Sequence, residues 1–551
     1  MSAKLSRPIL FSLALLLASA TLPAQQPSPT PSEARAAAAF DAAKKAGAPQ
    51  LYAFLLPFPK GADLHMHLSG AVYAETFLAE AVKQGLCIDP VALKLTAPVA
   101  NACANGNVPA ATVLTDQHLY DALVDSFSMR SIVPSAGISG HDQFFATFDR
   151  FGAVKDAGAW LDEVAARAAS QNEQYLEIMQ TPPFGTAIGL AKKIGWPAGA
   201  ETSITHEQLA QLRAKYLAGG LRNDVPADIK AFADAKAGRS QIEDCDTYDK
   251  YRNSTDPSPS HGQIMEMEQV QQGCSVKIHW LYQILRANAP AQVFAQTLLG
   301  FEVASADPDV VGINFVQPED ARLAMQDYHL QMQMLDYLHS VYPKVHISLH
   351  AGELAPGLVP PDGLSFHIRE AVELGHAERI GHGVDVLYEH RLQDTLVRDE
   401  EKDPLKEMAA KHVMVEINLT SNDVILGIKG SNHPLHAYMA AHVPWALSTD
   451  DEGVSRIDLT HEYVRAAAEQ GLTYLDLKRS ARTSLEHAFL HGESLWAKQD
   501  EFTAKKSGCP AIVYERMRLS NQCSVFLNQN EKAEEQFELE RRFATFEAAI
   551  H

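Results

Sequence analysis

Short apolar runs recur along the chain at positions 62–68, 174–180, 276–285, 310–316, 345–352, 379–384, 412–419 and 444–449. Several are apolar almost without a break, as strands buried on both faces must be. Between most of them the apolar positions fall three and four apart, the spacing of one helical face, as at 141–151, 157–171, 320–342, 365–374 and 458–470. Eight strands alternating with helices predict a parallel sheet, and the number eight predicts closure. The expected fold class is α/β, a (β/α)8 TIM barrel with insertions and terminal helical extensions. An open doubly wound sheet is the alternative. No GxGxxG follows any of the runs, which weakens the dinucleotide-binding version of it.

The remaining segments decorate this frame. Positions 86–110 carry two cysteines and an Asn-Gly pair and read as one insertion. Positions 181–273 read as a long polar second βα connection with a turn-rich stretch at 249–263, either a lid, an interaction surface or surface padding. Terminal helices are expected at 33–46, ended by Gly47, and at 530–550, with Asn530 as N-cap. The order is then a signal peptide at 1–24, a leader and helix at 25–55, the barrel at 56–500 and a helical extension at 501–551.

The first segment carries its own signal. Lys4 and Arg7 precede an apolar run at 9–20, and the small residues Ala18, Ser19, Ala20 and Ala24 mark its end. That is the layout of a secretory signal peptide, cut near Ala24 or at Ala20, with a run too short to span a bilayer comfortably. A retained anchor helix is the alternative reading. The mature chain is expected to be soluble and exported, periplasmic or extracellular, with no membrane contact after cleavage. Export makes the six cysteines readable as disulfides. Nearest-neighbour pairing (Cys87–Cys103, Cys245–Cys274, Cys509–Cys523) would close three short segments, although six cysteines leave other pairings open. No CxxC occurs, so a cysteine zinc site is disfavoured.

Composition narrows the partners. At 551 residues, 46% hydrophobic and 21% charged, the chain is apolar enough to bury a core. Lys+Arg 47 against Asp+Glu 68 leave a net charge of −21, which argues against a nucleic-acid backbone and against anionic membranes.

The chemistry sits at the ends of the predicted strands. His65 and His67, in Asp63-Leu64-His65-Met66-His67, point to one face of a strand and can share one metal ion. His350 ends another run, and Glu353 follows it after the small-residue turn Ala351-Gly352. His382 lies between Gly381 and Gly383, and Asp450, Asp451 and Glu452 follow the last run. Taken singly, each has a bland reading: polar strand ends, a structural histidine, a solvated acidic turn. Together they end strands where barrel enzymes place their active sites, and the first and eighth strands of a closed barrel are neighbours. Three successive carboxylates there call for a cation or hydrogen-bond donors. One mononuclear metal site is the expectation.

These motifs resemble the adenosine deaminase branch of the metal-dependent amidohydrolase superfamily. The likeness covers roughly 59–496 and rests on PKGADLHMHLSG, FFATFDRF, SLHAGE, RIGHGVD, ALSTDD and SLEHAFL. With export and long insertions it is nearer to the secreted, growth-factor-like deaminases than to the compact enzymes. The resemblance implies that His65, His67, His350 and Asp450 hold one zinc ion per chain. It also implies that Glu353 hands a proton to purine N1, His382 orients or deprotonates the attacking water, and Asp451 binds N7. His67, Ser69, Gln317, Gly352 and Asp451 would line the substrate. Two departures stand out. Ser69 occupies the place of an Asp that meets the ribose in many members. Gln317, in Asn314-Phe315-Val316-Gln317-Pro318-Glu319, lies where compact members have a Gly-Asp-Glu stretch that meets N3 through backbone.

The implied function is hydrolytic deamination of adenosine or 2′-deoxyadenosine to the inosine product and ammonia, in purine metabolism. Adenine or a modified adenine nucleoside is the alternative substrate, and a secreted binding or signalling protein on the same barrel is the non-enzymatic one. AMP would need a basic cluster near the motifs, and none is evident. A bimetallic phosphotriesterase-like hydrolase would want a lysine on the fourth strand, and 310–316 has none. The expected partner is a small purine nucleoside, with no nucleic acid; a homodimer is compatible with the chain.

Overall fold

All eight apolar runs fold as strands. In the computed structural model these are β1 (Gly61–His67), β2 (Glu173–Gln180), β3 (Lys277–Leu285), β4 (Val310–Val316), β5 (His346–Ala351), β6 (Arg379–His382), β7 (Met414–Ile417) and β8 (Trp445–Leu447). The structure describes residues 29–134, 137–247, 272–389, 403–506, 508–510 and 519–551. The targeting segment 1–24 and the turn-rich stretch 249–263 lie outside the described residues. The strands pair in chain order, every pair parallel. A single parallel bridge between Met66 and Asp450, with Asp450 N–H donating to the His65 carbonyl at 2.8 Å, returns β8 to β1. Thr449 tightens that seam by donating through N–H and Oγ1 to Asp63 Oδ2 at 3.0 and 2.6 Å. The barrel is therefore nearly closed, as the strand count predicts.

β6 and β7 are shorter than their apolar runs. The last residues of each run, at 383–384 and 418–419, lie beyond the strand ends. The helices follow the stripes: Gly140–Phe151, Ala157–Ser170, His367–Glu373 and Leu459–Glu469. The first is opened by a reciprocal cap between Ser139 and Asp142. The stripe at 320–342 divides at Asp327 into Arg322–Gln326 and Tyr328–Val341.

Both long insertions carry secondary structure of their own. The 181–273 connection is largely helical where described, with Ala187–Ile194, His206–Ala218 and Val225–Glu243 packed on the barrel. The 86–110 insertion is a small antiparallel sheet of Cys87–Asp89, Lys94–Thr96 and Val108–Pro109. The disulfides Cys87–Cys103, Cys245–Cys274 and Cys509–Cys523 follow the nearest-neighbour pairing.

The terminal helices Pro31–Ala46 and Glu531–Ala549 pack on the outside of the barrel, the first through Phe40 on Tyr474 and the second through Phe543 and Phe546 on Phe58. Gly47 ends the first at φ +115°. Asn530 takes the N-cap position of the second without capping it, because its Oδ1 accepts from Glu493 N–H at 2.7 Å instead.

Candidate active site

The HxH alternation of β1 turns both imidazoles toward the mouth, where they meet residues from β5, β6 and β8. His65, His350, His382 and Asp450 each offer a donor atom, all within 4.8 Å of one another, and His67, Asp450 and Asp451 form an overlapping set. His67 Nε2 lies 3.2 Å from His350 Nε2 and 3.3 Å from Asp450 Oδ1, and His65 Nε2 lies 3.6 Å from the same oxygen. Among the described residues the buried Nε2 atoms of His65 and His382 have no hydrogen-bond partner. Lone pairs converging on a carboxylate in a dry site are what one cation would satisfy. The residues present therefore fit a metal ion.

The outer nitrogens sharpen this. His65 Nδ1 meets Glu416 Oε2 at 2.6 Å and His350 Nδ1 meets Asn314 Oδ1 at 2.8 Å. Both partners are acceptors, so both rings carry their proton on Nδ1 and turn an Nε2 lone pair inward. Burial would raise the Asp450 carboxyl, but the imidazoles of His65, His67 and His382 beside it hold it well below the usual range.

Glu353 stands beside this cluster, its Oε1 3.7 Å from His382 Nε2. Burial first, and then the charges of Asp450 and Glu319, push its carboxyl well above the ordinary range. Its turn is held from behind. Glu319 accepts N–H donors from Gly352 at 3.1 Å and Glu353 at 2.8 Å and also pairs with His367 Nδ1, while Arg286 Nη2 donates to the His350 carbonyl at 2.8 Å. Gly352 adopts φ +73°, and the place of a Cβ is filled by Asp385 and Ile368. Burial drives the His382 imidazole down to about 3. Burial, then Asp450, lifts the Asp451 carboxyl well above its usual value.

A cavity of about 400 Å3 opens onto these groups, floored by His67, His350, Glu353 and Asp451 and walled by Phe144, Phe145 and Phe148. Ser69, Asp149 and Gln317 also line it, and among the described residues no lysine or arginine does. Gln317 sits at φ +83° with its carboxamide oxygen accepting from Ala287 N–H at 3.0 Å. The candidate ligand and substrate residues singled out in the sequence are thus drawn to one mouth, whereas Glu452 pairs with Arg167 at 2.6 Å. Gly352 differs from the rest in lying behind the Glu353 turn, with its side-chain space taken.

Sequence reading missed the residues that hold the site: Asn314, Glu319, Glu416, Asn418 and Asn422. Asn314 and Glu416 did leave a signal, each a lone polar residue inside an apolar run and fully buried in a strand.

A histidine–carboxylate cluster at the C-terminal mouth of a parallel (β/α)8 barrel lies where barrel enzymes place their active sites. Residues 264–501 match the family profile described as adenosine deaminase. The adenosine deaminase of Escherichia coli O157:H7 (strain EC4115 / EHEC) is 34% identical over 161 residues, 29% of this chain and 42% of that protein. The chain thus matches less than half the length of that curated relative. Over residues 264–501 the chain is thus similar to the adenosine deaminase family. Similar solved structures include an adenine deaminase from Arthrobacter aurescens (14% identical, 78% of this chain and 94% of that one, TM-score 0.45). Another is an N6-mAMP deaminase from Arabidopsis (18%, 79% and 94%, TM-score 0.44).

Proposed function

We propose that this protein is a zinc-dependent hydrolase that deaminates adenosine or 2′-deoxyadenosine, releasing ammonia. The observation that carries the reading is Glu353, a buried carboxyl with a raised pKa, set beside a cluster of imidazoles and a carboxylate. Zinc, bound by His65, His67, His350 and Asp450, would supply a water whose pKa is lowered toward neutrality. Attack at C6 places negative charge on the ring, and N1 must gain a proton for the ring to accept it. Glu353, its carboxyl raised by burial and by Asp450, donates that proton. Asp451, its carboxyl raised by burial and by Asp450, hydrogen-bonds N7 and fixes the base at the end of β8. His382 orients the attacking oxygen from the other side. Phe144, Phe145 and Phe148 exclude water and cover the purine faces.

Sugar recognition falls to the outer pocket. Ser69 gives a weaker ribose partner than a carboxylate, and Asp149 on the same wall supplies the charge that Ser69 lacks. A pocket without a lining cation disfavours a nucleotide phosphate. Adenine or a modified adenine nucleoside is the second reading, favoured by Ser69.

We also infer export, with cleavage of 1–24. Three disulfides suit an oxidising compartment. Among the described residues no helix is long and apolar enough to cross a membrane.

The test is turnover of adenosine, 2′-deoxyadenosine, adenine, N6-methyladenosine and AMP by purified protein, followed by ammonia release and the purine spectrum. Adenosine or its 2′-deoxy form should give the highest kcat/KM. No turnover of any of the five sinks the deaminase reading. Turnover of adenine alone moves it to the second.

A further inference from the structure

Three buried groups stand in line behind His382, and their hydrogen bonds have a single consistent direction. The line starts at backbone. Leu435 N–H donates to His433 Nδ1 at 3.2 Å. A backbone amide can only donate, so His433 Nδ1 is an acceptor and the ring's proton sits on Nε2. His433 Nε2 lies 3.0 Å from Asn422 and must donate to its Oδ1. That fixes the Asn422 carboxamide, whose Nδ2 then donates to His382 Nδ1 at 2.9 Å. Asn418 Nδ2 reaches the same nitrogen at 3.4 Å. Flipping Asn422 would set its NH2 against His433 Nε2–H, so no reversed arrangement satisfies the chain.

We propose that this relay, Leu435–His433–Asn422, locks His382 in its Nε2–H tautomer, so that His382 is a hydrogen-bond donor in the site and not a general base. His433 and Asn422 are then positioning residues, a role resting on the deaminase reading above. The consequence is visible at the other end of the ring. His382 Nε2 is buried and has no hydrogen-bond partner among the described residues; it lies 3.7 Å from Glu353 Oε1 and 3.9 Å from Asp450 Oδ2. Its N–H faces the space where the attacking oxygen must lie. A donor there holds that oxygen and stabilises the hydroxyl that forms on C6. Acceptance of the water proton passes to the carboxylates facing the same space, Asp450 and, once it has protonated N1, Glu353.

The contrast with the neighbouring imidazoles supports the assignment. His65 and His350 are backed by acceptors and present lone pairs, whereas His382 is backed by a donor and presents a proton. His67 is backed by Gln283, whose other carboxamide atom meets the Thr181 hydroxyl at 2.5 Å. A hydroxyl both donates and accepts, so the Gln283 carboxamide can turn to suit a metal-ligating His67. Asn422 has no such freedom, because its line ends on a backbone amide. Proximity alone makes His382 equivalent to His65 and His350 as a ligand; the relay separates them.

The test reverses the relay. Asn422→Asp offers acceptors to both histidines, and His382 should move its proton to Nδ1. With ring-15N histidine, long-range proton–nitrogen correlation spectra read the tautomer directly, the His382 signal being identified by its loss in His382→Gln. The parent should show Nε2 protonated, and Asn422→Asp should show Nδ1 protonated. Turnover of adenosine should fall at least about 100-fold in kcat, with KM within about threefold and metal content unchanged. His433→Ala should lose about 10-fold, and His433→Gln, which keeps a donor to Asn422, should restore most of that. A parent spectrum with Nδ1 protonated overturns the proposal, as does an Asn422→Asp variant with parental kcat. If Asn422→Asp fails to fold, the parent spectrum and the His433 pair decide. An inactive parent would defeat the deaminase reading, and the tautomer would still be read by the spectrum.

Discussion

Replacing Glu416 with Gln perturbs the site and the barrel wall together. Glu416 is fully buried in β7, where its Oε2 accepts from His65 Nδ1 at 2.6 Å and its Oε1 from Arg379 Nε at 2.7 Å and Ser348 Oγ at 3.1 Å. Burial would raise its carboxyl, but Arg379 and the His65 bond hold it below the ordinary range. A carboxamide keeps one acceptor oxygen, and its NH2 must then face either Arg379 or His65. Facing Arg379, it breaks one arm of a buried ion pair whose other arm, to Glu177 at 2.7 Å, survives. That costs about 3 kcal/mol, the low end for a broken buried pair. Unfolding entropy of ~2.1 cal/mol/K per residue over roughly 500 residues is ~1 kcal/mol/K, so Tm should fall by about 3 °C. Facing His65, the NH2 drives the imidazole proton to Nε2 and removes a lone pair from the cluster. Metal affinity should then fall about 10- to 100-fold, or ~1.4–2.7 kcal/mol. Calorimetry of the metal-free protein reads the first effect and chelator competition the second. A Tm within about 1 °C of the parent together with an affinity within about twofold would refute the reasoning.

Three further outcomes are expected. Gly70→Ala places a methyl group where Asp451 Oδ1 now sits, so kcat/KM should drop at least about 100-fold with metal content intact; parental kinetics would remove Asp451 from the site. Glu353→Gln should keep its metal yet lose about 1,000-fold or more in kcat, and full activity would end its role as acid. Burial would raise the Glu33 carboxyl, but Lys478 Nζ at 2.9 Å and the Thr30 cap hold it down to about 2. A depressed acid stabilises the fold above its unfolded pKa of 4.5, and that contribution is lost as pH falls toward 2. Hydrogen-exchange protection of the helix Pro31–Ala46 should therefore drop across that window and should be low and flat in Glu33→Gln; an identical pH course in the two proteins would contradict the pairing.

What could be read from the chain follows from where burial leaves a trace. Strands buried on both faces leave unbroken apolar runs, so all eight stood out, and an alternating HxH at the end of one located the mouth. The helix Pro290–Ala306 escaped notice because it is buried on nearly every side and carries no stripe. The helix Tyr474–His487 escaped for the opposite reason: it buries Lys478, Ser480, Thr483, Glu486 and His487 and looks polar. The groups that aim the catalytic side chains were hidden because their partners are distant in sequence. Asn422 and His433 lie 40 and 51 positions beyond His382, and Glu319 lies 34 before Glu353. Only the return of successive strands to one mouth brings them together. Asn530 shows the converse, a residue with the right local signal whose side chain a tertiary partner, Glu493, claimed.

The central claim is that one zinc ion in this mouth makes the protein a deaminase of adenosine. The most direct measurement is to strip the protein of metal, titrate zinc back and follow adenosine turnover at each addition. Activity should be absent at the start, rise in proportion to added zinc and level off at one equivalent per chain, with ammonia matching the inosine formed. Full turnover by the metal-free protein, or none at any zinc level, would contradict it.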